Sequence, residues 1–341
     1  MNPPIPVAIG PYTVVRRLGE GGMGTVYLCR TAGGGDAAVK LIRPDLSADP
    51  GFRRRFAAEV DAARRVASFC TAAVLGHGAH EDQPYLATEY IDGPTLNDHV
   101  AETGPLPPGT LHSLAVGVAA ALTAVHAAGL VHRDVKPQNV ILSITGPRVI
   151  DFGISRAVDG PALTARGVVL GTPGWLAPEQ LRGAGPDPAC DVFAWGCLVA
   201  WAGLGRHPYG TGGLLAVGER MLRAEPDLDG LPEGLSGAVR SALSADPARR
   251  PTARSLLLTL TGGDAAPASL AAATRLDPRP GPGGPVKPQA PAAVPGTAAT
   301  PPSTPTWRDA RPWPMRRLLT GAAAFAIGLA LLVLGVLLLP H

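Results

Sequence analysis

Apolar residues fall into short runs over the first ninety positions. Val14-Val15 and Val26-Tyr27-Leu28 read as two strands joined by a turn containing Gly19, Gly21, Gly22 and Gly24. Residues 37–42 make a third run with one lysine, Lys40, inside it, and residues 85–93 bring further apolar positions. Between them, residues 49–67 have the spacing of a basic amphipathic helix, with Asp49 as N-cap and Pro50 at its first position. Farther on the pattern lengthens. Residues 111–128 predict an Ala-rich helix stopped by Gly129, and an apolar helix opens near Asp191 and runs to about Leu204. Residues 140–142 and 149–150 predict a small hairpin turning at Thr145-Gly146-Pro147. Helix signals end near Leu260. Strands first and helices after make an α+β chain.

After Gly262 the composition shifts to Ala, Pro, Gly and Thr up to Pro314. Such a stretch buries too little apolar surface to offset its chain entropy, so a disordered linker is expected. Residues 318–339 are then an apolar run of 22 residues, Thr320 included, without a charge. At 1.5 Å per residue they cross a ~30 Å hydrocarbon core. Arg308, Arg311, Arg316 and Arg317 precede this run, and Trp307 and Trp313 suit the interface. The positive-inside rule then places the preceding residues in the cytoplasm and the C-terminus outside. Gly321, Gly328 and Gly335 recur every seven residues. That is ordinary glycine content for a membrane helix, or the close-packing face of a homodimer. The first ten residues show no signal peptide, and no sensor domain is expected outside the membrane.

A net charge of +3 and few aromatics argue against nucleic acid as a partner. Cys29, Cys70, Cys190 and Cys197 show no metal spacing and read as reduced, mostly buried thiols.

The chemistry gathers in His132-Arg133-Asp134-Val135-Lys136-Pro137-Gln138-Asn139 and in Asp151-Phe152-Gly153. Asn139 and Asp151, at the same end of the predicted hairpin, offer two oxygens of the kind Mg²⁺ takes beside phosphates. Asp134 would accept a hydroxyl proton next to them. Gly19, Gly21 and Gly24 allow close approach to phosphates, although such a loop is often only a turn. A dinucleotide-binding reading needs a helix directly after the glycines, and Thr25 to Leu28 is β-rich.

Together these stretches resemble the glycine-rich, catalytic and magnesium loops of protein kinases. Lys136, two residues after Asp134, is similar to the Ser/Thr-specific form, as in the bacterial eukaryotic-like Ser/Thr kinases. The resemblance covers about residues 12–260. It implies a bilobal kinase domain at 12–261 (small lobe about 12–90, large lobe about 92–261); with the composition read above, the chain divides into a tail at 1–11, that domain, a linker at 262–317 and a membrane helix at 318–339. It implies Asp134 and Lys136 as catalytic residues, with Lys136 steadying the γ-phosphate. Leu18, Gly19, Glu20, Gly21, Gly22, Met23, Gly24, Val26, Ala38 and Lys40 would contact ATP, as would the main chain of Glu89 and Ile91, with Thr88 as gatekeeper. Asn139 and Asp151 would hold Mg²⁺, or Mn²⁺ in its place. Glu59, which the helix spacing alone would also allow as a surface partner of Arg55, would pair with Lys40, as the resemblance places one glutamate mid-helix here. Thr164, Thr172 and Glu179 fall in the implied activation segment, where Thr164 would be autophosphorylated and Arg133 would receive that phosphate. His132 would pack on Phe152. Asp191, otherwise an ordinary helix-start acid, would grip the catalytic loop, and Arg250 would pair with Glu179. The implied reaction is transfer of the ATP γ-phosphate to Ser or Thr of proteins at the cytoplasmic membrane face. The alternative is an inactive pseudokinase scaffold, but that form usually lacks the base, the lysine or the magnesium Asp, and all three are present.

Overall fold

The computed structural model describes residues 5–66, 70–151 and 173–262. The expected linker and membrane helix, together with Phe152, Thr164 and Thr172, lie outside these residues.

Six antiparallel strands form one sheet: β1 (Ala8–Ile9), β2 (Tyr12–Gly21), β3 (Gly24–Arg30), β4 (Asp36–Ile42), β5 (Val74–His80) and β6 (Gln83–Glu89), in the order β1-β2-β3-β4-β6-β5. Side chains alternate across a strand. In β4, Ala37 and Val39 are buried in a cluster with Tyr12, Tyr27 and Tyr85, while Ala38 and Lys40 turn to the opposite face. Residues directly opposite in register share a face, so Val26↔Lys40↔Leu86 and Leu28↔Ala38↔Thr88 make two cross-strand rows on that side.

A single turn, α1 (Pro44–Ser47), leads to α2 (Pro50–Ala63). The expected cap is made: the Asp49 carboxylate accepts from the N–H groups of Gly51 at 2.8 Å and Phe52 at 3.1 Å. Phe52, Phe56 and Val60 bury one face of α2 with Ile42 and Leu86. The helix stops at Ala63, short of the expected 67. The N–H groups of Arg64 and Arg65 bond back to Val60 and Ala62 and close it as a turn.

The second half is built on α4 (Pro108–Ala127) and α6 (Pro188–Leu204), preceded by α3 (Leu96–Thr103) and joined by α5 (Pro178–Leu181), α7 (Leu214–Arg223), α8 (Glu233–Ala242) and α9 (Ala253–Leu260). Helices α4 and α6 are apolar nearly all round, as suits helices inside a core rather than on a surface. They meet in the largest buried cluster, where the Trp195 indole N–H donates to the Ala115 carbonyl at 3.0 Å. The predicted hairpin is β7 (Val140–Ser143) with β8 (Gly146–Val149); β8 packs on α4, β7 on α3, and Val149 exchanges backbone hydrogen bonds with Cys70 and Ala72. Asp187, not Asp191, caps α6, accepting from Ala189 N–H at 2.7 Å. All four cysteines are buried free thiols, as expected, and burial raises the Cys70 thiol to about 12.

Candidate active site

A cleft of about 1010 Å³ opens between the sheet and the helical half. Leu18, Gly19, Glu20, Gly21, Gly22, Met23, Gly24, Val26, Ala38, Lys40, Glu89 and Ile91 line it, with Arg133, Asp134, Lys136, Asn139 and Asp151. Of the expected nucleotide residues, only Glu59 stands back from the wall.

The glycines do different work. Strands β2 and β3 turn at Gly22-Met23, with Gly21 opposite Gly24. A Cβ at Gly19, Gly21 or Gly22 would meet nothing within 4 Å, so these positions leave room beside the backbone for a phosphate chain. A Cβ at Gly24 would lie 2.0 Å from the Leu41 carbonyl oxygen, a main-chain atom of the neighbouring strand. Gly24 is therefore needed for the β3–β4 approach. We expect Gly24→Ala to cost about 1–3 kcal/mol as an overpacking defect. Gly21→Ala should leave the melting temperature unchanged and raise KM for ATP. Thermal melts and ATP titrations of the two variants check the split.

Asp134 sits at the floor of the cleft. The Lys136 ammonium is 2.8 Å from its Oδ2, and the Asn139 side-chain N–H₂ donates to its Oδ2 at 3.0 Å and to its carbonyl at 2.8 Å. A carbonyl only accepts, so the Asn139 nitrogen must face Asp134, and its Oδ1 is turned the other way. That oxygen and the Asp151 carboxylate, both on the cleft wall, are the donor set a magnesium ion takes beside phosphates. The residues present thus fit the metal.

Four charges around this floor pair differently from the expectation. Lys40 Nζ lies 3.0 Å from Asp151 Oδ2, and Arg133 Nη1 lies 2.8 Å from Glu59 Oε1. The Lys40–Glu59 pair is thus replaced by Lys40–Asp151 and Arg133–Glu59. Both pairings satisfy two acids and two bases, so pair number does not choose between them. Arg133, set at φ +66 beside the base, brings its guanidinium fork to the inward carboxylate of α2.

The loop itself is fixed from beneath. Asp191, 1% exposed, accepts from the N–H of His132 at 2.7 Å and of Arg133 at 2.8 Å. This is the grip expected of it. His132 is fully buried, and burial lowers its imidazole below the ordinary 6.5 despite the nearby carboxylates. Its Nδ1 accepts the Asp134 N–H at 3.3 Å, which a neutral ring allows. A proton-transfer role for His132 finds no support in that position. Glu179 and Arg250 also meet, at 2.6 and 2.8 Å.

Some contributors escaped the sequence. Ile141 lines the cleft from β7 because Val140 and Leu142 turn inward, a period-2 signal that is present but short in four residues. Arg148 bonds the Glu89 carboxylate at 2.8 Å and ties β8 to the end of β6. His126 reaches Asp191 from α4. Nothing in sequence spacing marks the last two.

The fold is two-lobed, and its cleft is walled by the glycine loop on one side and holds Asp134 beside the oxygen donors of Asn139 and Asp151 on the other. The chain belongs to the protein kinase family: the family model for the protein kinase domain matches residues 12–259. It is 44% identical over 274 residues to the probable serine/threonine-protein kinase PkwA of Thermomonospora curvata, covering 79% of this chain and 37% of that protein. It is 44% identical over 247 residues to the serine/threonine-protein kinase AfsK of Streptomyces coelicolor, covering 72% and 31%. The chain thus spans about a third of the length of these relatives. Among solved structures, the PknI kinase domain of Mycobacterium tuberculosis is 30% identical, with a TM-score of 0.58, covering 77% of this chain and all of that one.

Proposed function

We propose that the chain is a serine/threonine protein kinase using ATP and Mg²⁺. The observation that carries this reading is Asp134, held by Lys136 and Asn139 on the floor of the cleft that Lys40 and Asp151 also line. In the reaction, Asp134 orients a Ser or Thr hydroxyl and takes its proton. The hydroxyl oxygen bonds the γ-phosphorus as the bond to the β-phosphate bridging oxygen breaks, and ADP leaves. Lys136 holds the γ-phosphate and Lys40 the α- and β-phosphates. Asn139 and Asp151 would hold magnesium, which would neutralise phosphate charge there. Catalysis is positioning plus electrostatics rather than covalent chemistry.

The pairs Lys40–Asp151 and Arg133–Glu59 support a regulatory reading. A phosphate on Thr164 would compete with Glu59 for Arg133 and leave Glu59 to Lys40. Residues 318–339 would anchor the protein in the cell membrane with the kinase domain in the cytoplasm, and their glycine face would favour a homodimer. Release of the protein by alkaline carbonate extraction would remove the anchor. Crosslinked dimer yield unchanged by Gly328→Ile would remove the dimer.

The full chain with Mg²⁺ and γ-labelled ATP should label itself and an added protein on Ser and Thr, with Thr164 among the mapped sites. EDTA should abolish labelling. Label on Tyr alone, or ATP binding with no transfer in detergent or liposomes, would defeat the kinase reading and favour the scaffold.

A further inference from the structure

The short turn Pro173–Trp175 runs directly into Leu176, which lines the cleft from the helical half together with Gln180, Ala184 and Pro186. Trp175 and Leu176 also flank Asp134 in a smaller recess beside Arg133 and Gln180. A turn of three residues is held by what packs on it. The Trp175 ring meets Trp201 of α6 edge-on, with centroids 6.2 Å apart, and His207 edge-on at 5.4 Å. His207 adds a hydrogen bond. Its Nε2 lies 2.7 Å from the Gly174 carbonyl oxygen, and its Nδ1 accepts the Tyr209 N–H at 3.3 Å. A ring nitrogen that accepts carries no proton, so in the neutral ring the proton sits on Nε2 and is donated to Gly174. Burial lowers the imidazole below the ordinary 6.5, against the pull of the Gly174 bond and with the help of the Arg220 cation, which keeps the ring in this neutral form at pH 7. Tyr209 is 5% exposed and stacks on Phe193 of α6. His207 thus reaches from the helical core to the backbone of the turn.

We infer that His207 is a positioning residue for the protein substrate: its Nε2–H holds the Gly174 carbonyl, and with it the turn that sets Trp175 and Leu176 on the peptide side of the cleft. The residues proposed to contact the nucleotide belong mostly to the sheet. A polypeptide that brings its hydroxyl to Asp134 therefore runs along the helical wall, past Leu176, Gln180, Ala184 and Pro186. His207 does not line the cleft. Its loss acts on the fit of the polypeptide and leaves the glycine loop, Lys40 and Asp134 in place.

The inference rests on the kinase reading, and its test is chosen to separate the two. The full chain is compared with His207→Phe, which keeps a ring against Trp175 but has no donor, and with His207→Gln, whose amide places an N–H near the Nε2 position. The probe is a peptide pool with one fixed Ser or Thr and random flanking residues. Two readouts are taken: steady-state kcat and KM for the pool and for ATP, and amide hydrogen exchange of the peptide covering residues 173–178. His207→Phe should raise KM for the pool about tenfold, the scale of leaving one part-buried carbonyl without its donor. Its kcat and its KM for ATP should stay within about twofold, the pattern of a lost binding interaction rather than a lost chemical one. Exchange over residues 173–178 should quicken, and His207→Gln should recover most of both effects. If the Phe variant does not fold, His207→Asn takes its place, since it can still accept from Tyr209 N–H but is too short to reach Gly174. A wild-type KM for the pool in the donor-less variant, an equal rise in KM for ATP, unchanged exchange, or a Gln variant no better than Phe overturns the inference. Absence of phosphoryl transfer to the pool and to the chain itself in the wild type would overturn the kinase reading, while the exchange readout, which needs no activity, still tests the hold of His207 on the turn.

Discussion

Asp134→Asn should lower kcat by about 10²- to 10⁴-fold, the range of a lost general base, with KM for ATP little changed. The substitution is nearly isosteric. The Asn139 amide can still donate to the residue-134 carbonyl and to a side-chain oxygen, so the floor of the cleft keeps its shape. What goes is the negative charge that pairs with Lys136 at 2.8 Å and that, in the proposed reaction, would take the hydroxyl proton. The residues proposed to contact the nucleotide line the other wall, at the glycine loop, β4 and the end of β6. Lys40→Met should therefore behave differently, raising KM for ATP through lost phosphate binding as well as lowering the rate. Steady-state kinetics with a protein substrate, beside ATP affinity measured without turnover, distinguishes the two. An Asp134→Asn enzyme within tenfold of wild type would overturn the assignment of the base.

The contrast between these variants follows the division between what the chain announces and what only packing decides. Strand alternation in 37–42 places Ala38 and Lys40 on one face, and the fold puts that face on the cleft. The cap at Asp49, the hairpin at 140–149 and the oxygen pair Asn139 and Asp151 were legible for the same reason: each is a local pattern whose period or turn chemistry fixes direction. Glu59 was legible as an inward acid but not as a partner. A sequence states which charges exist, while the pairing depends on how α2 lies against the loop at 133. His126 and Arg148 are the same case in sharper form. Each meets a carboxylate at least 59 residues away, with no spacing rule to bring them together. Gly24 illustrates the reverse. It was legible as a loop glycine, but the reason it cannot carry a side chain is the Leu41 carbonyl of the next strand.

Arg250→Met should cost about 3–5 kcal/mol, the scale for breaking a buried ion pair from one side. For a domain of this size that lowers the melting temperature by roughly 6–20 °C. The arginine side chain is 0% exposed and uses all three nitrogens: Nη1 and Nη2 to Glu179, Nη1 also to the Ala189 carbonyl at 3.0 Å, and Nε to the Ser244 carbonyl at 2.8 Å. Its guanidinium also lies 4.9 Å from the Phe193 ring centroid. A methionine of similar volume fills the space but leaves the Glu179 carboxylate and two carbonyls without these donors. The pH dependence gives the sign. Burial alone would raise the Glu179 carboxyl, but the Arg250 hydrogen bonds, with others to the carboxylate, outweigh it and hold the group below its usual 4.5. Its contribution is thus fully present above 4.5 and is lost as pH falls through the lower folded value. In Arg250→Met burial prevails, Glu179 protonates more readily, and the gap to wild type narrows in acid. Adding Glu179→Gln to the variant should restore part of the loss, since the uncompensated charge is then gone. No recovery would mean that the carbonyl contacts, not the ion pair, carry the cost. Activity should fall with stability: Ala189 lies two residues before Asp191, so the same arginine steadies the start of α6 from which the catalytic loop is held.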